Sequence, residues 1–129
     1  MKSDRVGGLM LRVDGELRFL PGAVAVRVEP SPRVTPVPGA PSELLGVTMY
    51  EGGVVPVLAI GSARGEMIVC RHPSELVGVV GHEIVHAGLF EALAGDTGRV
   101  RHEGRDVEPL DVAAVYGRVQ SHGGPRQPR

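Results

Sequence analysis

The chain of 129 residues has little of what several protein classes require: one cysteine, no tryptophan and a net charge of only -1 at pH 7. The lone Cys70 cannot form an internal disulfide, which suits a reducing compartment. Near-neutral charge argues against nucleic acid or an anionic membrane as a partner. No segment approaches the roughly 20 apolar residues of a spanning helix, and the N-terminus lacks a secretory signal layout. We expect a soluble cytoplasmic protein without direct membrane contact.

Valine dominates the apolar residues, and 19 Gly and 11 Pro punctuate the chain. Because valine is stiff at χ1 and packs well on pleated surfaces, this composition favours strands and turns. The dipeptide Asp14-Gly15 predicts a tight hairpin between strands at 9–13 and 16–20. Valines alternating over 23–28 predict a strand with one buried face.

Further along the chain, Ser42 predicts the cap of one helical turn over 42–45 that Gly46 ends. Asp111 predicts the cap of a terminal helix that ends near 119. The remaining signals predict two strand–turn–strand units, over 47–50 with 54–60 and over 66–70 with 76–80. So many short strands indicate a mainly β fold of one small barrel or of paired barrels, not an α/β sheet.

His82-Glu83-Ile84-Val85-His86 matches the H-E-x-x-H pattern of zinc hydrolases. On a helix the two histidines lie one turn apart and bind one Zn²⁺, while the glutamate activates water. Taken alone, the motif predicts a small zinc metallohydrolase that uses His82, Glu83 and His86.

The secondary structure of residues 82–86 decides whether the two histidines can bind one zinc ion. Residues four apart lie about 6 Å apart along a helix but roughly 13 Å apart along a strand, and zinc bonds are only about 2 Å long. Upstream, the sequence is rich in valine and contains Gly78 and Gly81, each of which disfavours a helix by up to about 1 kcal/mol. No third ligand is compelling among the downstream acidic residues and His102. A strand without metal or other cofactor is therefore the favoured interpretation, and the zinc enzyme is the alternative.

Residues 34–41, which hold three prolines, are followed by Leu45-Gly46-Val47-Thr48 and then by Val55-Pro56-Val57-Leu58. In this order they resemble the CheW-like coupling domain of bacterial chemosensory systems. The resemblance extends downstream through Val77-Gly78-Val79-Val80 to Leu110-Asp111. It implies a CheW-like domain over 9–119. Residues 1–8 are expected to be a flexible N-terminus, and the polar composition with Gly and Pro predicts a disordered tail at 120–129.

The fold that the resemblance implies is two small SH3-like five-stranded β-barrel subdomains with a short C-terminal helix. The implied function is that of a non-enzymatic adaptor, with no catalytic residues and no cofactor, that can be recruited to chemosensory arrays. Its partners would be the cytoplasmic domain of a methyl-accepting chemoreceptor, a CheA-type histidine kinase and other CheW-like domains. The residues expected to bind a partner surround the best-matching segment: Arg27, Val34, Leu45, Val47, Met49, Glu51 and Val55.

Three departures from the family pattern carry expectations of their own. Arg27 stands where the family has Glu, and Glu51 stands where it has Arg, so we expect an ion pair of reversed polarity, because a lone buried charge would be costly. The loop at 61–65 and the stretch at 89–98 are both shorter than usual. Because these two segments are short, we expect the chain to keep its contact with the receptor and to have weakened or lost binding to the kinase.

Overall fold

The computed structural model describes residues 4–95 and 97–123, which form strands and one helix. In chain order the elements are β1 (Arg5–Val13), β2 (Glu16–Pro21), β3 (Ala25–Glu29), β4 (Leu44–Tyr50), β5 (Gly53–Ala59), β6 (Met67–His72), β7 (Glu75–Val80), β8 (Glu83–Ala92), β9 (Val100–His102), β10 (Arg105–Val107) and α1 (Val112–Gly123). Sheet A has the strand order β10-β9-β8-β1-β2, and sheet B has the order β3-β6-β7-β5-β4. The predicted mainly β fold with two five-stranded subdomains and a C-terminal helix is confirmed.

Sheet A is built around the predicted hairpin of β1 and β2. Asp14 and Gly15 both have positive φ, 48° and 88°, as this tight turn requires. On its other side β1 pairs with β8 along nearly its whole length. The chain after β10 returns to β2, where the Phe19 N–H donates to Glu108 O at 2.9 Å and the Leu110 N–H donates to Phe19 O at 2.8 Å. These bonds close sheet A towards a barrel.

Sheet B is antiparallel except for β5 and β7, which pair in parallel. The predicted turn between β4 and β5 is confirmed, with Glu51 and Gly52 both at positive φ. Thr35 bonds Val47 through both backbone groups, at 2.8 and 2.9 Å. The segment that follows β3 therefore runs along the outer edge of β4.

One core cluster joins the two sheets. It contains Leu11 and Leu20 from sheet A, valines of sheet B such as Val77, and the helix residues Val115 and Val119. The Asp111 carboxylate accepts a 2.9 Å hydrogen bond from the Ala114 N–H, as predicted for a cap. In the part of the chain that the structure describes, no helix is long and apolar enough to cross a membrane.

Two local predictions on sheet B are wrong. The helical turn over 42–45 is limited to a hydrogen-bonded turn at Ser42 and Glu43, in which the Leu44 N–H donates to Pro41 O at 3.0 Å, because Leu44 and Leu45 already belong to β4. Gly46 does not end a turn but lies at a bulge of β4, where a Cβ would collide with the backbone of Thr35. The expected buried face of the 23–28 strand is only partly formed, since Val24 packs against the core cluster whereas Val26 and Val28 are 41% and 36% exposed at the edge of sheet B.

The chain ends differ from the expected flexible segments where the structure describes them. β1 begins at Arg5, so residues 5–8 are paired with β8 instead of being free. At the other end α1 continues to Gly123. The predictions for residues 1–3 and 124–129 lie outside the described residues.

Candidate partner-binding surface

A groove of about 690 Å³ opens on sheet B. One wall is the chain from Arg27 to Thr35, and the other is the β4–β5 hairpin. Thr48 fixes the two walls together, because its hydroxyl donates a 2.6 Å hydrogen bond to Arg33 O. The groove is therefore a built feature of the subdomain, with an apolar side chain, Met67, among its lining residues.

The hairpin wall carries the most exposed apolar side chains of sheet B. Met49 and Val54 face each other across β4 and β5, and each is 66% exposed. Val47 lies on the same face of β4 as Met49, because alternate residues of a regularly paired strand share a face. Leu45 is exposed and Val47 lines the groove. An apolar surface beside a groove is typical of a site where another protein binds.

The structure brings together four of the seven predicted site residues, since Arg27, Val47, Met49 and Glu51 line the groove. Leu45 is exposed at the bulge of β4 and is not among the lining residues. Val34 is half-buried against the core cluster of Val57, Met67 and Val69.

Val55 is 3% exposed and belongs to the interior, so it is unavailable to a partner. Its neighbour Val54 takes the outward position instead, since adjacent residues of a strand point to opposite faces. Sequence alone does not distinguish Val54 from Val55, because both residues are valine. The one sequence signal that could have found it is its place opposite Met49 in the hairpin register.

The expected ion pair between Arg27 and Glu51 is not formed. Arg27 Nε instead lies 3.0 Å from Glu29 Oε2, two positions along the same strand. Glu51 lies in the β4–β5 turn with its side chain exposed. The cost of a lone buried charge does not apply here, because Arg27 and Glu51 are both exposed. The two residues place charges of opposite sign at separate points on the rim of the groove.

The H-E-x-x-H segment is extended, not helical. Gly81 forms a bend and β8 begins at Glu83, so His82 and His86 do not share a helical face. The His86 ring stacks on His102 with centroids 6.2 Å apart. In residues 4–95 and 97–123, no three His, Cys, Asp or Glu side chains come together in a group that could hold a metal ion. The geometry that the zinc alternative needs is therefore missing from this segment.

His82 and Cys70 are the two buried side chains with reactive potential. His82 is 1% exposed, and no group among the described residues forms a hydrogen bond with either of its ring nitrogens. Burial lowers the pKa of His82, and the nearby charge of Glu66 partly opposes that shift. Burial raises the pKa of the Cys70 thiol to about 12, so the thiolate needed for nucleophilic chemistry does not form near neutral pH.

Comparison with known proteins connects this geometry to one family. The sequence profile of the CheW-like domain matches residues 7–88. The crystal structure of the scaffolding protein TtCheW from Thermoanaerobacter tengcongensis is similar, with a TM-score of 0.68 and 14% identity over 84% of this chain and 90% of that chain. At this identity the similarity shows a shared fold. No curated protein matches the sequence significantly.

Proposed function

The chain belongs to the CheW-like domain family, and on that premise we propose that it is a non-enzymatic adaptor of a bacterial chemosensory system. Its partner is the cytoplasmic domain of a methyl-accepting chemoreceptor, which it meets in the cytoplasm at a chemosensory array. The observation that carries this proposal is the apolar hairpin wall of the groove on sheet B. Adaptor function requires binding surfaces and no reacting groups.

The groove has the layout of a modest protein interface. Met49 and Val54 supply an apolar centre, and Arg27, Arg33 and Glu51 supply charges around it. Burying two large apolar side chains contributes about 1.5–3 kcal/mol each, before the cost of association. The charged rim selects among partners by complementarity. A receptor segment that offers an apolar side chain to this centre fits the surface.

We extend the proposal to weakened binding of a CheA-type histidine kinase. The short loop at 61–65 is held down, because the Asp14 carboxylate accepts hydrogen bonds from the Ser62 N–H at 2.9 Å and the Ser62 hydroxyl at 2.6 Å. The stretch at 89–98 is likewise shorter than in the family pattern. Titration with the regulatory domain of a cognate kinase is expected to show weak or no binding, and tight binding would contradict this extension.

The experiment that tests receptor binding is calorimetric titration of the full chain with the cytoplasmic domain of a cognate receptor. We expect Met49→Lys to weaken binding by about tenfold or more, because it places a charge at the apolar centre of the groove. The matched control is Leu89→Lys, since Leu89 is 63% exposed but lies on β8 of sheet A.

Two results would overturn the proposed surface. One is unchanged receptor binding by Met49→Lys, and the other is a loss of binding confined to Leu89→Lys. Circular dichroism of both variants verifies that each retains the β fold. The zinc alternative with His82, Glu83 and His86 is not proposed, because nothing in the extended segment or in the family match supports it.

A further inference from the structure

α1 covers one face of the hairpin formed by β6 and β7. Ile68 and Cys70 of β6 share this face with their register partners Val79 and Val77 of β7, because alternate residues of paired strands point the same way. All four are fully buried, and they belong to the core cluster that also contains the helix valines. The helix is therefore part of the cover that keeps this apolar surface away from solvent.

The groove of sheet B lies on the opposite face of β6. Met67, which lines the groove, and Val69 alternate with Ile68 along the strand and belong to a different core cluster. The surface under α1 is therefore separate from the surface proposed to bind the receptor. An inference about α1 goes beyond the proposed function.

α1 has little intrinsic stability as a helix. It is 12 residues long, and isolated helices shorter than about 12–15 residues are marginal in water. Its residues in the core cluster are Val112, Val115 and Val119, and β-branched valine is a poor helix former. Gly117 on the exposed face weakens the helix further. Formation of α1 therefore depends on its packing against the sheets.

One polar contact fastens α1 to the turn end of the hairpin. The Tyr116 hydroxyl donates a 3.0 Å hydrogen bond to Glu75 Oε1. The Tyr116 ring also meets the His72 ring edge to face, with centroids 5.6 Å apart, and His72 is the register partner of Glu75. Within residues 4–95 and 97–119, no other side-chain hydrogen bond joins α1 to the sheets. We call His72, Glu75 and Tyr116 the latch.

We propose that α1 is a lid, which undocks and melts while both sheets remain folded, and which the latch holds closed. Local opening of this kind occurs where few contacts hold the moving part. Three buried valines and the latch hold α1, whereas the strands are held by backbone ladders. The chain just before the lid stays fixed, because the Leu110 N–H donates to Phe19 O at 2.8 Å. Asp111 is therefore the hinge, and the open lid exposes Cys70.

The rate at which Cys70 reacts with a thiol reagent measures the opening of the lid. Cys70 is the one cysteine of the chain and is buried under α1, so the folded full chain can be labelled with 5,5′-dithiobis(2-nitrobenzoate) without other reacting thiols. We expect the labelling rate to change little with urea at low urea concentration, because lid opening exposes little surface. A rate that follows global unfolding at every urea concentration would overturn the proposal.

Two substitutions on the lid shift its opening in opposite directions. Gly117→Ala is expected to slow labelling about fivefold, because alanine favours the helix and its Cβ meets no atom within 4 Å. Tyr116→Phe is expected to speed labelling roughly two- to tenfold, because the hydrogen bond to Glu75 is lost while the ring is kept. Labelling that Gly117→Ala slows and Tyr116→Phe leaves unchanged would refute the latch.

Val100→Ala is the control that separates lid opening from global unfolding. Val100 is 1% exposed in a core cluster of sheet A that contains no α1 residue. This variant is expected to lower the midpoint of urea unfolding and to leave the labelling rate in the absence of urea unchanged. If Val100→Ala speeds labelling by the same factor as it increases the unfolded population, Cys70 is reached only by global unfolding and the lid is refuted. The test uses no receptor, so its outcome is independent of the proposed function.

Discussion

At the scale of a single residue, His82 is buried, and neither of its ring nitrogens has a hydrogen-bond partner within residues 4–95 and 97–123. It lies where the chain crosses from β7 of sheet B to β8 of sheet A. Charging the imidazole would place a cation out of water, with Glu66 as the nearby charge that opposes the lowered pKa. The neutral ring is therefore the form that the folded state accommodates.

We predict that His82 makes folding sensitive to acid. Burial lowers the folded-state pKa below the ordinary value of 6.5, so the unfolded chain binds the proton more readily. Above the pKa of His82 in the unfolded chain, its contribution to the free energy of unfolding does not depend on pH. As the pH falls from that pKa to the lower pKa of the folded state, the free energy of unfolding decreases. Urea unfolding above and below the ordinary imidazole pKa measures this loss.

The control for this prediction compares two histidines. His82→Leu is expected to reduce the pH dependence of stability over that range, because it removes the buried titrating group. His86→Gln, at an exposed position of β8, is expected to retain it. The same pH dependence in His82→Leu as in the unmodified chain would show that another group is responsible.

At the scale of one element, the cap of α1 has a measurable role. The helix buries Val112, Val115 and Val119 in the core that joins the sheets. We predict that Asp111→Ala lowers the free energy of unfolding by about 1 kcal/mol, because the 2.9 Å bond to the Ala114 N–H is lost. Asp111→Asn retains an accepting oxygen and should lose less. Equal losses in the two variants, measured by denaturant unfolding, would contradict a capping role.

Elements whose signals are local were predictable from the sequence. The turns at Asp14-Gly15 and at Glu51-Gly52 depend on positive φ at two adjacent residues, a preference that short dipeptides reveal. The helical turn over 42–45 was wrong for the opposite reason. Pairing of Leu44 with Leu58 and the contact of Gly46 with Thr35 involve residues distant along the chain, and tertiary pairing overrides local propensity.

The candidate site also combines residues that the sequence predicts with residues whose position depends on tertiary packing. Met49 was predictable as a groove residue because it lies in the segment that resembles the family. The choice between Val54 and Val55 depends on which face of β5 meets the core, and two adjacent valines give no alternation to show it. The predicted Arg27–Glu51 pair was wrong because it depended on burial of the two charges, whereas both residues are exposed.

At the scale of the whole molecule, one core holds the two sheets together. Leu11 of sheet A belongs to the same buried cluster as Leu58 and Val77 of sheet B. We predict that Leu11→Ala lowers the free energy of unfolding by about 2–5 kcal/mol, because it opens a cavity in that cluster. We also expect both sheets to unfold in one transition, in this variant and in the unmodified chain.

Two probes test this cooperativity. Amide exchange in β4 and β7 reports on sheet B, and amide exchange in β1 and β8 reports on sheet A. Coincident transitions support the single core, whereas earlier loss of sheet A alone would show two independent units. Val54→Ala, at an exposed position, serves as the control and is expected to change stability by less than about 0.5 kcal/mol.

The strand order of sheet A also has a consequence for biosynthesis. Its first two strands precede all of sheet B and its last three follow it, so that Arg5 is paired with Glu91. Contacts so distant in sequence give a high contact order, which slows folding. During vectorial synthesis sheet B is translated as a continuous block, whereas β1 must wait for β8 to leave the ribosome. The first hairpin is therefore synthesised first but gains its complete set of neighbours only late, after β8 and the residues that follow β10 have left the ribosome.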